Sequence, residues 1–109
     1  MKVTRQNQGT AACFLVEGQV DMHTSPDLRN QLRTALTEKA SPIVVDLSSV
    51  AFIDSSGLAT LIEALQATTK YGGRLRLCGL SPSVHNLFRL SNLTSIFDIR
   101  AKRDDALGK

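Results

Sequence analysis

The chain has 109 residues, of which 42% are apolar and 21% charged, with a net charge of +3. That is the size and balance of one globular domain, and it excludes disordered, collagen-like and coiled-coil chains. No apolar run reaches the roughly 20 residues that a membrane helix needs. The opening Met1-Lys2-Val3-Thr4-Arg5-Gln6 carries no apolar leader core, so a cytoplasmic domain without membrane insertion is expected.

The basic excess is uneven: residues 71–109 hold seven Lys and Arg against three Asp and Glu, and residues 1–70 hold six against seven. With one Tyr, four Phe and no Trp, the chain is poor in rings for base stacking. A solvated basic surface is the expectation, not direct contact with nucleic acid. Cys13 and Cys78 sit among apolar residues without CxxC spacing, as free thiols that pack like small hydrophobes.

Val3 to Gln6 reads as a first strand, joined through a turn at Asn7-Gln8-Gly9 to a second, apolar strand over Ala12 to Val16. Ser25 is placed as N-cap with Pro26 at the first helical position. Leu28, Leu32, Ala35 and Leu36 form one stripe of that first helix, which ends before Pro42. Ile43-Val44-Val45-Asp46-Leu47 is β-branched and apolar on both alternating sets, the pattern of a covered strand. Ser48 to Gly57 reads as a connection anchored in the core by Phe52 and Ile53. Leu58, Leu61, Ile62 and Leu65 begin a second helix, which runs to about Lys70 and stops at Gly72-Gly73. Leu75 to Cys78 is a strand with Arg74 and Arg76 alternating outward, and Ser81-Pro82 opens a short third helix carrying Val84, Leu87 and Phe88. Ser95 to Ile99 is a candidate edge strand, followed by a polar tail over residues 100–109. The order ββαβαβα plus a final β predicts a single α/β domain with a mixed sheet of four to five strands and helices packed against it.

Phe52-Ile53-Asp54-Ser55-Ser56-Gly57-Leu58 concentrates three residues able to cap a helix at a junction that needs one. A hydroxyl at a helix N-terminus faces free N–H groups and the positive end of the dipole, so it is also a place where a phosphate would sit well. Both readings, caps alone or an acceptor hydroxyl, are open from these residues. A serine hydrolase built from Ser55 with His23 or His85 lacks the nucleophile elbow, because position 53 is Ile where Gly is needed. No P-loop occurs, and the two histidines lack metal-ligand spacing. No catalytic residue, metal site or cofactor is expected.

The stretch from Val44 through Asp46-Leu47-Ser48-Ser49 to Asp54-Ser55-Ser56-Gly57-Leu58 resembles the signature of the STAS domain family, the bacterial anti-sigma factor antagonists. Gly18-Gln19-Val20-Asp21, Gly72-Gly73, Ser81-Pro82-Ser83-Val84 and Phe88-Arg89-Leu90-Ser91-Asn92-Leu93 resemble the same family, so that the likeness covers about residues 10–99. The resemblance implies partner switching. An unmodified antagonist binds an anti-sigma factor that is also a serine kinase and so frees a sigma factor. Phosphorylation by ATP then breaks the complex, and a serine phosphatase restores it. Carried over by position, the phosphoacceptor is Ser55, and the partner surface comprises Asp21, Asp54, Ser55, Ser56 and Gly57, with Asp21 close to Ser55. The implied protein is a monomer or weak dimer. The family also contains fixed structural or scaffolding subunits of lipid-transport and stress-signalling complexes, in which this serine region often departs from Asp-Ser-Ser-Gly.

Overall fold

The computed structural model describes residues 1–108. In chain order it contains β1 (Lys2–Gln8), β2 (Ala11–Val20), α1 (Ser25–Thr37), β3 (Ile43–Ile53), α2 (Ser55–Lys70), β4 (Leu75–Cys78), α3 (Pro82–Leu90), β5 (Asp98–Arg100) and α4 (Arg103–Leu107). The strands form one five-stranded mixed sheet in the order β1-β2-β3-β4-β5. Strand β1 is antiparallel to β2, and all other neighbours are parallel.

Because the sheet advances in one direction, right-handed crossovers place every connecting helix on the same face. The core lies there. Phe14 and Val16 of β2, Val45 and Leu47 of β3 and Leu77 of β4 meet Leu28 and Leu32 of α1, Leu61 of α2, and Val84 and Phe88 of α3. The Phe88 ring meets Phe97 edge-on at 5.6 Å between centroids, a favoured aromatic geometry. The opposite face carries a second, small apolar cluster of Cys13, Val44 and Cys78, covered by Ala106 of α4.

Several boundaries differ from the sequence reading. The hairpin turn is Gly9-Thr10, with Gln8 opposite Ala11; Gly9, at φ +62°, supplies the positive φ at the first turn position. Strand β3 continues past Leu47 to Ile53, because β2 stays paired with it through two register shifts beyond Leu15; exposed Ser48 and Ser49 hid that continuation. Phe52 is 49% exposed and anchors nothing, while Ile53 is buried. Helix α2 therefore starts at Ser55, three residues before Leu58. It ends in a Schellman arrangement at Gly72-Gly73, where the Gly73 N–H donates to the Thr68 carbonyl at 2.9 Å and the Gly72 N–H to that of Thr69 at 3.0 Å. The last strand is Asp98–Arg100, since Phe97 turns inward to the core. The polar tail contains a helix, α4.

Candidate functional site

Parallel strands deliver their C-terminal ends to one rim of a sheet, the usual location of sites in α/β folds. Here that rim gathers the loop after β2, which holds Asp21, and the β3–α2 junction, which holds Asp54 and Ser55. The two are tied directly: the Asp54 N–H donates to the Val20 carbonyl at 3.0 Å.

Asp54 is the N-cap of α2, in extended backbone. Its Oδ1 accepts the Ser56 and Gly57 amides at 2.9 and 3.1 Å and the Ser56 hydroxyl at 2.6 Å. The hydroxyl bond is the largest influence on this carboxyl. Desolvation opposes it, the Gly57, Ser56 and Met22 amides add to it, and the net result holds Asp54 below the usual carboxylate range. Of the three candidate cap residues, then, Asp54 caps and Ser56 is bound to the cap. Ser55, in the first turn, is exposed. Among the described residues its hydroxyl meets no hydrogen-bond partner.

Asp21 organises the neighbouring loop in the same way. Its Oδ1 accepts the His23 and Thr24 amides at 2.9 and 3.1 Å and the Thr24 hydroxyl at 3.2 Å. Desolvation pushes this carboxyl up, but those donors outweigh it and the net shift is downward. The Ser25 amide bonds the Asp21 carbonyl at 2.7 Å. Ser25 is thus inside α1 and buried, and Thr24 occupies the cap position. The Asp21 carboxylate holds the turn in place before the helix, the role the sequence had given to Ser25.

Gly57 seats α2 on the sheet. A Cβ there would lie 2.8 Å from both Ile53 Cγ2 and Val20 Cγ1 and 3.1 Å from the Val20 carbonyl oxygen. Any larger residue would push the start of α2, and Ser55 with it, off the rim. The structure thus places Asp21, Asp54, Ser55 and Ser56 at the rim, with Ser55 exposed, and Gly57 buried beneath the start of α2. Two further residues were missed. Met22 is 69% exposed and Phe52 49% exposed, one on each of the two segments that meet at Asp54. Only a correct end for β3 would have revealed Phe52 as a rim residue.

Neither His23 nor His85 bonds Ser55; both imidazoles are exposed. Among the described residues no group of three His, Cys, Asp or Glu is arranged to hold a metal. Among the described residues no helix is long and apolar enough to cross a membrane.

The STAS domain family model matches residues 2–106. The anti-sigma-B factor antagonist of Bacillus subtilis is 33% identical over 89 residues, covering 82% of this chain and 81% of that protein. The anti-sigma F factor antagonist of Paenibacillus polymyxa is 32% identical over 93 residues, covering 84% and 80%. Among solved structures, the unphosphorylated Bacillus antagonist SpoIIAA superposes with a TM-score of 0.83 at 22% identity, covering 97% of this chain and 93% of that one. Its phosphorylated form gives 0.76 at 21% identity, covering 97% and 96%.

Proposed function

Because the chain belongs to the STAS domain family, matched across residues 2–106, we propose that it is an anti-sigma factor antagonist switched by phosphorylation of Ser55. Unmodified, it docks the Ser55 rim on an anti-sigma factor with serine kinase activity and releases a sigma factor in the cytoplasm. Phosphorylation dissociates the complex, and a serine phosphatase resets it. It acts as a monomer or weak dimer.

The observation that carries this reading is the division of labour in Asp54-Ser55-Ser56: one residue caps, one is bound to the cap, and one presents a free hydroxyl. The Ser56 and Gly57 amides are already taken by Asp54. A phosphate on Ser55, carrying about −1.5 to −2 charges, is therefore not absorbed by these donors. It adds to the carboxylates of Asp54 and Asp21 and faces outward. Unfavourable charge against a desolvated partner surface costs several kcal/mol, and each 1.4 kcal/mol is about tenfold in affinity. The fold need not change, and SpoIIAA has this fold in both of its forms. A fixed structural subunit is not favoured, since Ser55 and Gly57 are both retained and the relatives at 33% and 32% identity are antagonists.

The test is co-purification from the native host with and without ATP, followed by site mapping. Expected are a small ATP-binding kinase, loss of the complex with ATP, and phosphate on Ser55. Phosphate on Ser56, or a complex indifferent to ATP, would overturn the assignment.

A further inference from the structure

The one-directional sheet leaves its second face without a crossover helix, and α4 closes that gap. Ala106 is fully buried over Cys13 of β2, Val44 of β3 and Cys78 of β4, with Leu15 and Leu107 at the margin. Otherwise α4 is held by polar tethers. The Arg76 guanidinium donates to the Ala106 and Gly108 carbonyls, each at 2.8 Å. Arg100 reaches the Asp105 carbonyl at 3.1 Å. Arg103 bonds the Gln6 side chain at 2.8 Å and pairs with Asp46 at 3.6 Å. A five-residue helix is far shorter than the roughly 12–15 residues needed for helical structure on its own, so α4 folds only as it docks. Undocking gives up Ala106, the part-buried Leu107 and the polar bonds to Arg76, Asp46 and Gln6, while the main core on the other face keeps all three of its helices. Such a unit opens without the rest.

Beneath it are two thiols, 2% and 0% exposed. Strand β3 separates them: Cys13 sits beside Val44, and Cys78 beside Asp46. Two strand spacings and a two-residue offset along β3 put their Cα atoms about 12 Å apart, beyond the roughly 7 Å that a disulfide spans. Burial pushes both thiols up, Cys78 to about 12, so in the closed state neither is a nucleophile.

We infer that α4 is a detachable latch over a cryptic thiol site formed by Cys13 and Cys78, opening while the sheet stays folded and held open when either thiol forms a mixed disulfide with a low-molecular-weight disulfide. In that step the exposed thiol loses its proton to solvent and its sulfur attacks one sulfur of the external disulfide. The Cys–S–S–R bond forms as the external S–S bond breaks, and the other half leaves as RS⁻. The attached group then occupies the space of Ala106, and α4 cannot reseat. This inference stands apart from the Ser55 switch.

Ellman's reagent on the reduced full chain tests it, with released thionitrobenzoate followed across low urea concentrations. The free energy of opening read from labelling should depend on urea with a slope well below that of global unfolding measured on the same protein. Ala106→Glu should speed labelling by at least about tenfold while the cooperative melt is retained, and Cys13→Ser and Cys78→Ser should each leave one reactive site. Labelling in the wild type with the full urea slope of global unfolding overturns the latch, whether or not the Glu variant folds. So does a folded Ala106→Glu that labels at the wild-type rate.

Discussion

Gly57→Ala sets two effects against each other on a single methyl group. In an exposed helix interior the change would stabilise by up to about 1 kcal/mol, because alanine is the better helix former. At position 57 the new Cβ falls 2.8 Å from two methyls, Ile53 Cγ2 and Val20 Cγ1, and 3.1 Å from the Val20 carbonyl oxygen. Those side chains are 2% and 1% exposed and have nowhere to swing, and the carbonyl is fixed by its bond from Asp54. Overpacking of this kind costs about 1–3 kcal/mol. The clash outweighs the propensity gain, which is also reduced in the first turn, leaving a net loss of about 1–2 kcal/mol. For a domain of this length that is a fall in Tm of about 4–8 °C, with a lower urea midpoint and an unchanged m-value. The exposed Ala59 on the same helix provides the control: Ala59→Gly, with no close approach, should lose about 1 kcal/mol by propensity alone. Thermal and urea unfolding followed by circular dichroism reads both. A Gly57→Ala protein as stable as the wild type would refute the reasoning, because it would mean that α2 can ride outward freely and that the approach to Val20 does not fix Ser55 on the rim.

Ser55→Asp should weaken binding to the cognate anti-sigma factor by at least about tenfold in calorimetry, whereas Ser55→Ala should bind and resist phosphorylation. Ser56→Ala, which removes only a hydroxyl bound to Asp54, should still be phosphorylated at Ser55 by the kinase, as read by intact mass and fragment mapping. Asp54 titrates below its ordinary value of 3.8 in the fold. Its contribution is therefore complete above about pH 4 and is lost as pH falls through the depressed folded value; Asp54→Asn should flatten that acid limb of stability, measured as urea midpoints against pH. Phe88→Ala empties the site of a fully buried ring stacked edge-on against Phe97 and should cost about 3–5 kcal/mol, enough to lower the urea midpoint severely.

Much of the fold is legible in the amino-acid sequence. The Leu58-Leu61-Ile62-Leu65 stripe and the glycine stop located the body and end of α2, and Ser81-Pro82 fixed the start of α3, where the Ser81 hydroxyl does accept the Val84 amide at 3.3 Å. These signals are local, and local chemistry decided them. What was not legible depended on partners distant in sequence. Strand β3 reaches Ile53 only because β2 stays paired with it through two register shifts, and nothing within Ser48–Ile53 announces that. Gly57 could be singled out by resemblance, but its reason lies in Val20, on another strand. The cap of α1 moved from Ser25 to the Asp21–Thr24 turn because a carboxylate several residues upstream satisfied the loop amides first. Helix α4 buries a single alanine fully, too little for any periodicity to show.

The order in which the strands lie also sorts the loops. The connections that enter β2, β3 and β4 from below, at residues 9–10, 38–42 and 71–74, collect at the rim opposite Ser55, where the Ser41 amide meets the Thr10 carbonyl, the Tyr71 hydroxyl meets that of Ala40 and the Arg74 amide meets the Ser41 hydroxyl. That rim is mechanically stitched and lies opposite the Ser55 rim proposed for docking, so a fluorophore or an affinity handle grafted at the exposed Arg74 would report on complex formation without standing in its way.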